Sequence, residues 1–321
     1  APGFTPYMSY ATISDFESVN IYNGNLTISI PIGPSIAVGK DLSFQAKLLY
    51  TGQGSGALEG VVLSNEIPIP KWFNLSKNAG NFAIFYGAIT TKAVFSPSAG
   101  QEGTATCQGC EVTYIDSNGT LHPVFQTESN TFAGYTLDGS NIHLRFDYNY
   151  NKWVLYSPDG IILEFAHVIN TPYGSACDSC TFSFRDKTYF LTKVSDRYGN
   201  SYSLTYEDDS DRLILINDNA NPSRKISFEY NSNAGSISNL LSTISVPTVN
   251  GSTANYTFNY SDKEGPEGVE VAVISQINFP KAKTSEIRNL KISFEYYEYN
   301  PYPQSSGYDE KATTIKRITY P

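Results

Sequence analysis

Short runs of alternating apolar and polar residues follow one another along the chain. Successive side chains of a β-strand point to opposite faces of the sheet, so such alternation predicts strands with one buried face. The run 42–50 is a clear example, because Phe44, Ala46 and Leu48 share one face. No stretch has a convincing helical period, and the best candidate, 236–241, amounts to one turn at most. The pattern therefore predicts an all-β chain.

Residues that favour tight turns separate these runs. Between Tyr156 and Phe165, the sequence Pro158-Asp159-Gly160 fixes one φ angle with proline and supplies residues that tolerate a positive φ, which is typical of a hairpin. Asn23-Gly24 between two alternating runs is an equally strong hairpin signal. Further hairpins are predicted about residues 116–119 and 138–140. Consecutive antiparallel β-hairpins would then form a twisted, curving sheet.

A repeat begins at Tyr189 and consists of a strand, a turn and an alternating strand that ends in tyrosine. We therefore predict an extended lead-in at 1–18, an amino-terminal β-hairpin region with two Cys-x-x-Cys loops at 19–188, and hairpin repeats at 189–321 that end within a repeat. A single hairpin cannot bury its apolar face, whereas stacked hairpins can. The last strand should leave an exposed edge for the remainder of a longer parent chain or for a partner strand.

Charge and composition exclude several functions. The formal net charge is -9, so clustered basic residues for nucleic acid or an anionic membrane surface are not expected. No apolar run approaches the length of a membrane helix, and we expect no membrane insertion by this segment. The opening Ala1-Pro2-Gly3 fits a mature chain after signal cleavage, although a tag remnant fits equally well. We expect a secreted or cell-surface protein.

All four cysteines lie in two Cys-x-x-Cys pairs, Cys107 with Cys110 and Cys177 with Cys180. Two such pairs on turn-rich loops have the spacing of a tetrahedral four-thiolate zinc site. Disulfides between the two loops are the alternative, whereas a disulfide within one pair is geometrically awkward. Free thiols are a third state. Either bound form would be structural, because it would pin two long loops together. One structural zinc is thus the only cofactor that the residues indicate.

Other candidate chemistry is weaker. His122, His143 and His167 have no neighbour at metal-ligand spacing, and no serine nucleophile elbow is present. A glycosidase needs two close carboxylates, but carboxylates in turns usually bond their own backbone. The run 207–211 resembles part of a calcium loop without its glycine or its final glutamate. The candidates for such a carboxylate pair are Glu111, Asp116, Asp147, Asp159 and Glu164.

Aromatic side chains raise a second hypothesis. Trp72, Trp153 and the 24 tyrosines could present ring faces to a sugar. Because these residues recur at strand positions, packing within the sheet is the simpler interpretation. The sequence identifies no specific ligand-binding residue.

Together, these motifs resemble the RHS/YD-repeat proteins of bacteria, which are related to the shells of insecticidal toxin complexes and to animal teneurins. The resemblance covers most of residues 19–321 and rests on the order of the motifs more than on any one of them. It departs from the family at the insertion 168–182 and at the cysteine pairs, and no residues match the family's self-cleaving segment. The segments that carry it are Val19–Ile32, Leu42–Tyr50, Tyr156–Phe165, Leu191–Tyr206 and Ile315–Pro321.

This resemblance implies a long β-sheet that spirals into a hollow shell, often around a toxic carboxy-terminal domain. We therefore expect a non-enzymatic structural or binding segment that serves toxin delivery or cell-surface contact, with a cell-surface glycan or protein as an additional partner. A carbohydrate-binding adhesin module is the alternative, and a β-rich hydrolase is the third hypothesis.

Overall fold

The described part of the chain is built from β-strands and turns. The computed structural model describes residues 10–14, 17–20, 26–51, 79, 82–92, 111–126, 133–172, 185–232, 239–248, 251–264, 270–280, 290–296 and 315–320. These residues contain no helix, and hence none that could span a membrane. The predicted all-β fold of consecutive antiparallel hairpins is confirmed.

The first four strands form a small antiparallel sheet in chain order. The strand pair β1–β2 forms partly within the predicted lead-in, and β2 pairs with β3 on either side of Asn23-Gly24, which itself lies outside the described residues. In β3 and β4 the residues predicted to face inward are buried, including Ile28, Ile30, Phe44 and Leu48. The strands are β1 (Tyr10–Ser14), β2 (Glu17–Asn20), β3 (Leu26–Ala37) and β4 (Ser43–Thr51).

The other strands form one sheet of 16 strands, and neighbouring strands are antiparallel. The first part of this sheet contains β5 (Ala88–Lys92), β6 (Glu111–Ile115), β7 (Leu121–Gln126), β8 (Ala133–Thr136), β9 (His143–Asp147), β10 (Lys152–Tyr156), β11 (Ile162–Pro172) and β12 (Arg185–Ser195). The second part contains β13 (Ser201–Tyr206), β14 (Leu213–Asp218), β15 (Lys225–Tyr230), β16 (Leu241–Pro247), β17 (Thr253–Glu264), β18 (Glu270–Asn278), β19 (Lys291–Tyr296) and β20 (Ile315–Thr319).

Strand β12 closes the first part of the sheet into a ring. Its first half pairs with β5, through Tyr189 opposite Ile89, while its other edge pairs with β11 along most of its length. Because β5 to β11 also pair in chain order, the eight strands β5 to β12 form a closed circuit of hydrogen-bonded neighbours. The second half of β12 pairs with β13, through Val194 opposite Tyr202. The sheet therefore continues outward from the ring through β12.

Several hairpin turns share one local geometry. In the predicted hairpin about Pro158-Asp159-Gly160, the amide of Gly160 donates to the carbonyl of Ser157, and the amide of Ser157 donates to the carbonyl of Ile161. Gly160 adopts a φ of 86°. The carboxylate of Asp159 accepts the amide of Ile161 at 3.2 Å, so Asp159 is a turn residue as predicted. The turns that begin at Asp116 and Asp196 have the same backbone bonds.

The predicted repeat of strands ending in tyrosine is present from β12 onward. In each copy the strand register shifts just before the tyrosine, which then pairs with an apolar residue of the next strand. This tyrosine ladder comprises the pairs Tyr206–Leu213, Tyr230–Leu241, Tyr260–Ile274 and Tyr296–Ile315.

Hydroxyl groups connect successive rungs of the tyrosine ladder. Each donates to the backbone carbonyl of the apolar residue that belongs to the preceding rung. The register shift interrupts the backbone hydrogen bonds at this apolar residue, and the tyrosine hydroxyl supplies its carbonyl with a hydrogen-bond donor. The bonds run from Tyr230 to Leu213 at 2.9 Å, from Tyr260 to Leu241 at 2.7 Å and from Tyr296 to Ile274 at 2.6 Å.

The small sheet packs against the large sheet, and both contribute residues to one apolar core. The ring of Phe44 on β4 lies 5.2 Å from that of Tyr202 on β13. Phe82 belongs to no strand of either sheet but lies next to Ala83, a residue bridged to Leu49 of β4. The ring of Phe82 lies 5.2 Å from that of Phe294. Polar contacts also join the two sheets, because the guanidinium of Arg224 donates to the carbonyl of Ala37 at 2.7 Å. The small sheet is therefore held along the length of the large one.

Candidate functional site

The four cysteines, Cys107, Cys110, Cys177 and Cys180, lie outside the described residues, so the zinc and disulfide hypotheses remain predictions. Within the described chain, no group of three or more His, Cys, Asp or Glu side chains is arranged to hold a metal ion. What the structure does show is where the strands flanking the cysteines lie.

The strands that lead into and out of both cysteine segments end at one rim of the ring. Lys92 at the end of β5 pairs with Glu111 at the start of β6. On the other side of β5, Thr91 pairs with Lys187 of β12, and the start of β12 pairs with the end of β11 at Pro172. Adjacent strands are about 4.8 Å apart, and an extended residue spans about 3.5 Å. Chain connectivity therefore allows the two cysteine pairs to meet.

A group of buried charges joins two turns of the ring. The ring of His122 lies between Asp116 and Asp138, with Nε2 at 3.6 Å from the carboxylate of Asp116 and Nδ1 hydrogen-bonded to the carboxylate of Asp138. His122 also stacks on Tyr114 at 5.1 Å between ring centroids. We refer to Asp116, His122 and Asp138 as the histidine clamp. It connects the β6–β7 turn with the β8–β9 turn.

Each member of the histidine clamp is perturbed by burial and by the others. Burial lowers the pKa of His122, but the nearby carboxylate of Asp116 and the hydrogen-bonded carboxylate of Asp138 outweigh it, so the net pKa is raised. Burial raises the pKa of Asp116, but the nearby imidazole of His122 and hydrogen bonds from the amides of Thr120 and Asn118 outweigh it, so the net pKa is lowered. These shifts favour a cationic histidine held between two ionised carboxylates.

The small sheet also reaches the histidine clamp. The ammonium of Lys47 on β4 donates to the carbonyl of Ser117 at 2.6 Å. Burial lowers the pKa of Lys47 to about 8, against the attraction of Asp116. The turn that carries Asp116 is therefore fixed from two sides, by His122 and by β4.

The geometry of the histidine clamp does not suit nucleophilic catalysis. In a catalytic triad one ring nitrogen faces a carboxylate and the other accepts a proton from the nucleophile. Both ring nitrogens of His122 face carboxylates. The hydroxyl of Ser140 donates to Asp138 at 2.6 Å instead of contacting the imidazole. The arrangement can hold two turns together but offers His122 no nucleophile to activate.

The carboxylates considered for a hydrolase are mostly engaged elsewhere. Asp147, like Asp159, accepts a backbone amide in its own turn, whereas Glu164 is ion-paired with Lys152 and lies 3.5 Å from Lys193. In the run 207–211, Glu207 is ion-paired with Arg212.

Asp211, in the same run, has a raised pKa. Burial raises the pKa of Asp211 to about 6, and this outweighs the attraction of Arg212. Its charge acts on the buried hydroxyls of Tyr206 and Tyr230. These neighbours belong to the tyrosine ladder, so Asp211 lies against a packed strand face, not beside a second free carboxylate.

Aromatic side chains occupy both faces of the sheet. Trp153 is buried, as the packing interpretation predicted, and Trp72 lies outside the described residues. On the face turned away from the core, four rings occupy directly opposed positions of β7, β8, β9 and β10. We call Phe125, Tyr135, His143 and Tyr156 the aromatic strip. The sequence showed each of these residues in a strand but not that the four strands align them.

Solved structures are similar to this chain in fold. The Tc holotoxin pore of Photorhabdus luminescens matches 90% of this chain with a TM-score of 0.51 and 12% sequence identity. A crystal structure of TcdB2-TccC3-TEV matches 93% of it, also with a TM-score of 0.51 and 12% identity. The chain has the fold of toxin-complex shells. The predicted resemblance to RHS/YD-type shells is thereby confirmed at the level of the fold.

This chain corresponds to only a part of the much longer chains that it matches. This chain spans 16% of the Photorhabdus chain and 17% of the TcdB2-TccC3-TEV chain. The N-terminal domain of the effector protein SpvB from Salmonella typhimurium matches 91% of this chain with 9% identity and a TM-score of 0.37. No family model and no curated protein matches the sequence.

Proposed function

We propose that this chain is a structural segment of the wall of a secreted or surface-exposed RHS/YD-type shell, which serves toxin delivery or cell-surface contact. The observation that carries the proposal is the closure of β5 to β12 into a ring from which the sheet continues, with the small sheet packed against the face that carries the core. Such a layered, curving sheet suits a wall better than a catalytic cleft. The segment itself has no catalytic role.

Protease protection tests the wall function. In the complete protein to which this chain belongs, any segment enclosed by the shell should resist a protease that readily cleaves the same segment expressed alone. Partial unfolding with urea should abolish the difference, because it opens the wall. Cleavage of the inner segment at the same rate in the native protein and in isolation would contradict enclosure.

We propose that the two cysteine pairs link the β5–β6 and β11–β12 connections at the rim of the ring. A four-thiolate zinc site or disulfides between the loops would join the β5–β6 connection to the β11–β12 connection, around the hairpin that carries Asp159. Elemental analysis together with non-reducing mass spectrometry separates the two forms. One zinc per chain with four reduced thiols supports the metal site, and cross-loop disulfides support the alternative. Free thiols without metal would contradict both.

We also propose that another strand covers the free edge of β20. Among the described residues, β20 pairs with β19 alone, while Ile315 and Ile318 pack against the core. An unpaired edge is a template for strand addition. The covering strand comes from the remainder of a longer parent chain or from a partner protein. Hydrogen exchange at Arg317 and Thr319 should slow in the complete protein, and unchanged exchange would contradict a covering strand.

A further inference from the structure

The aromatic strip has the form of a ligand platform. Phe125, Tyr135 and Tyr156 are 58%, 51% and 37% exposed, so three large rings face solvent from neighbouring strands. His143 lies between the two tyrosines, with ring centroids 4.9 Å from Tyr135 and 5.9 Å from Tyr156. The rings pack against one another along the row, with His143 stacked on Tyr156, and each of the three larger rings keeps part of its surface in solvent.

The register of the strands holds the rings in line. Phe125 is directly opposite Tyr135, Tyr135 is opposite His143, and His143 is opposite Tyr156. On the other face of the same strands, Leu144 and other side chains pack into the core. The strip is therefore positioned by a rigid sheet, and ordering it for a ligand costs little conformational entropy.

Beside the strip lies a cation with no carboxylate partner among the described residues. Arg145 follows His143 by two residues on the same face of β9, and it is exposed. Its opposed residues on the neighbouring strands are Ala133 and Val154, neither of which carries charge. The nearby carboxylate of Glu164 is held by lysines. An anionic ligand group beside the rings would thus meet a guanidinium that no carboxylate of the described residues holds.

We propose that the aromatic strip and Arg145 bind an acidic oligosaccharide. Aromatic faces stack on the C–H faces of sugar rings, and sugars in a chain are spaced about as far apart as adjacent strands. The guanidinium would pair with a carboxylate or sulfate group on the sugar. A protein partner is disfavoured because the strip is a single row of rings without a pocket-filling anchor among the described residues. The site is independent of the proposed wall function.

Glycan binding by the intact chain tests this site. On an array with sialylated and sulfated oligosaccharides beside their neutral counterparts, the chain should bind the acidic members preferentially. Tyr135→Ala and Tyr156→Ala should each weaken binding about tenfold, because each removes a stacking surface. Arg145→Gln should bring the affinity for an acidic glycan down to that for its neutral counterpart.

Matched controls separate binding from folding. Tyr198 is 64% exposed on the β12–β13 turn and is not a member of the strip, and Tyr198→Ala should leave binding unchanged. All variants alter exposed side chains, so their thermal midpoints should stay close to that of the unaltered chain. The proposal is overturned if the chain binds no glycan, if binding survives the Tyr135→Ala/Tyr156→Ala double change, or if Tyr198→Ala weakens binding equally.

Discussion

At the residue scale, His122 shows how much a single buried side chain can do in a sheet protein. It is 8% exposed and joins turns that belong to two different hairpins. Its sequence neighbours give no sign of this, because Asp138 is 16 residues away and meets the imidazole only after β7 and β8 have paired. The turn function of Asp116 could be predicted from its Asp-Ser-Asn-Gly sequence, whereas its ion pair could not.

Replacing His122 with glutamine should destabilise the chain by about 2–4 kcal/mol, because Asp138 would remain buried without its cationic partner. Urea denaturation measures the change. His143→Gln is the matched control, since His143 lies on the outer face between two aromatic rings. If His122→Gln and His143→Gln lower the unfolding free energy equally, the histidine clamp makes no specific contribution to stability.

The histidine clamp should also make stability depend on pH. The raised pKa of His122 means that its contribution is complete below the ordinary value of 6.5 and is lost as the pH rises through the folded-state pKa. The lowered pKa values of Asp116 and Asp138 mean that their contribution is present above 3.8 and is lost as the pH falls through their folded-state values.

Other titratable groups around the clamp also change the stability of the chain with pH. Burial lowers the pKa of Lys47 to about 8. Lys47 therefore opposes the loss of stability at higher pH, because releasing its proton removes a buried positive charge. Tyr114 does not contribute near neutrality, since burial raises the pKa of its hydroxyl. The difference in unfolding free energy between the unaltered chain and His122→Gln should therefore be greatest between about pH 4 and pH 6.5. A difference independent of pH would contradict a charged clamp.

The tyrosine ladder gives a second residue-scale prediction. Tyr260→Phe keeps the ring and removes the hydroxyl that donates to Leu241 at 2.7 Å. The loss should be about 1 kcal/mol, because a part-buried carbonyl is left without that donor. Tyr198→Phe, which alters an exposed hydroxyl, should have no effect in the same denaturation experiment. Equal destabilisation of Tyr260→Phe and Tyr198→Phe would contradict a stabilising role for the hydrogen bond of the Tyr260 hydroxyl.

At the scale of the strand and the turn, the sequence was most informative where side-chain alternation and turn chemistry agree. The hairpin around Asp159 was predictable because its glycine, aspartate and flanking strands all favour the same geometry. The tyrosine-ended repeats were predictable for the same reason. The register shift before Tyr230 was not predicted. It adds Ser242 to β16, so the buried Leu241 and Ile244 lie three residues apart, and this departure from strict alternation is the signal that the sequence offered.

Two glycine substitutions should separate strand contact from turn conformation. At Gly134 in β8, an added Cβ would lie 2.3 Å from the carbonyl oxygen of Phe125 in β7, so Gly134→Ala must displace one strand from the other. At Gly199, with φ of 86°, nothing lies within 4 Å of an added Cβ, so Gly199→Ala introduces backbone strain alone.

We expect Gly199→Ala to lower the unfolding free energy by about 1 kcal/mol. Gly134→Ala should lower it by about 3 kcal/mol or more. Thermal or urea unfolding of both variants under the same conditions provides the comparison. A smaller loss at Gly134 than at Gly199 would mean that β7 and β8 are not as closely paired as described.

At the scale of the whole molecule, the decisive contacts join residues that are far apart in sequence. Tyr189 pairs with Ile89 in closing the ring, and Phe44 packs on Tyr202 in seating the small sheet. Every hairpin carries a similar apolar pattern, so the sequence predicts that hairpins stack but does not specify which strand receives β5. The resemblance to a known family supplied the curved shell that periodicity alone could not.

The wall function rests on how this segment sits within the complete protein, and electron cryomicroscopy of that protein measures it most directly. We predict a hollow shell whose wall contains the ring β5 to β12, with the small sheet facing the cavity and a further strand paired with β20. A complete protein without an internal cavity, or one in which the small sheet faces solvent on the outer surface, would contradict the wall function.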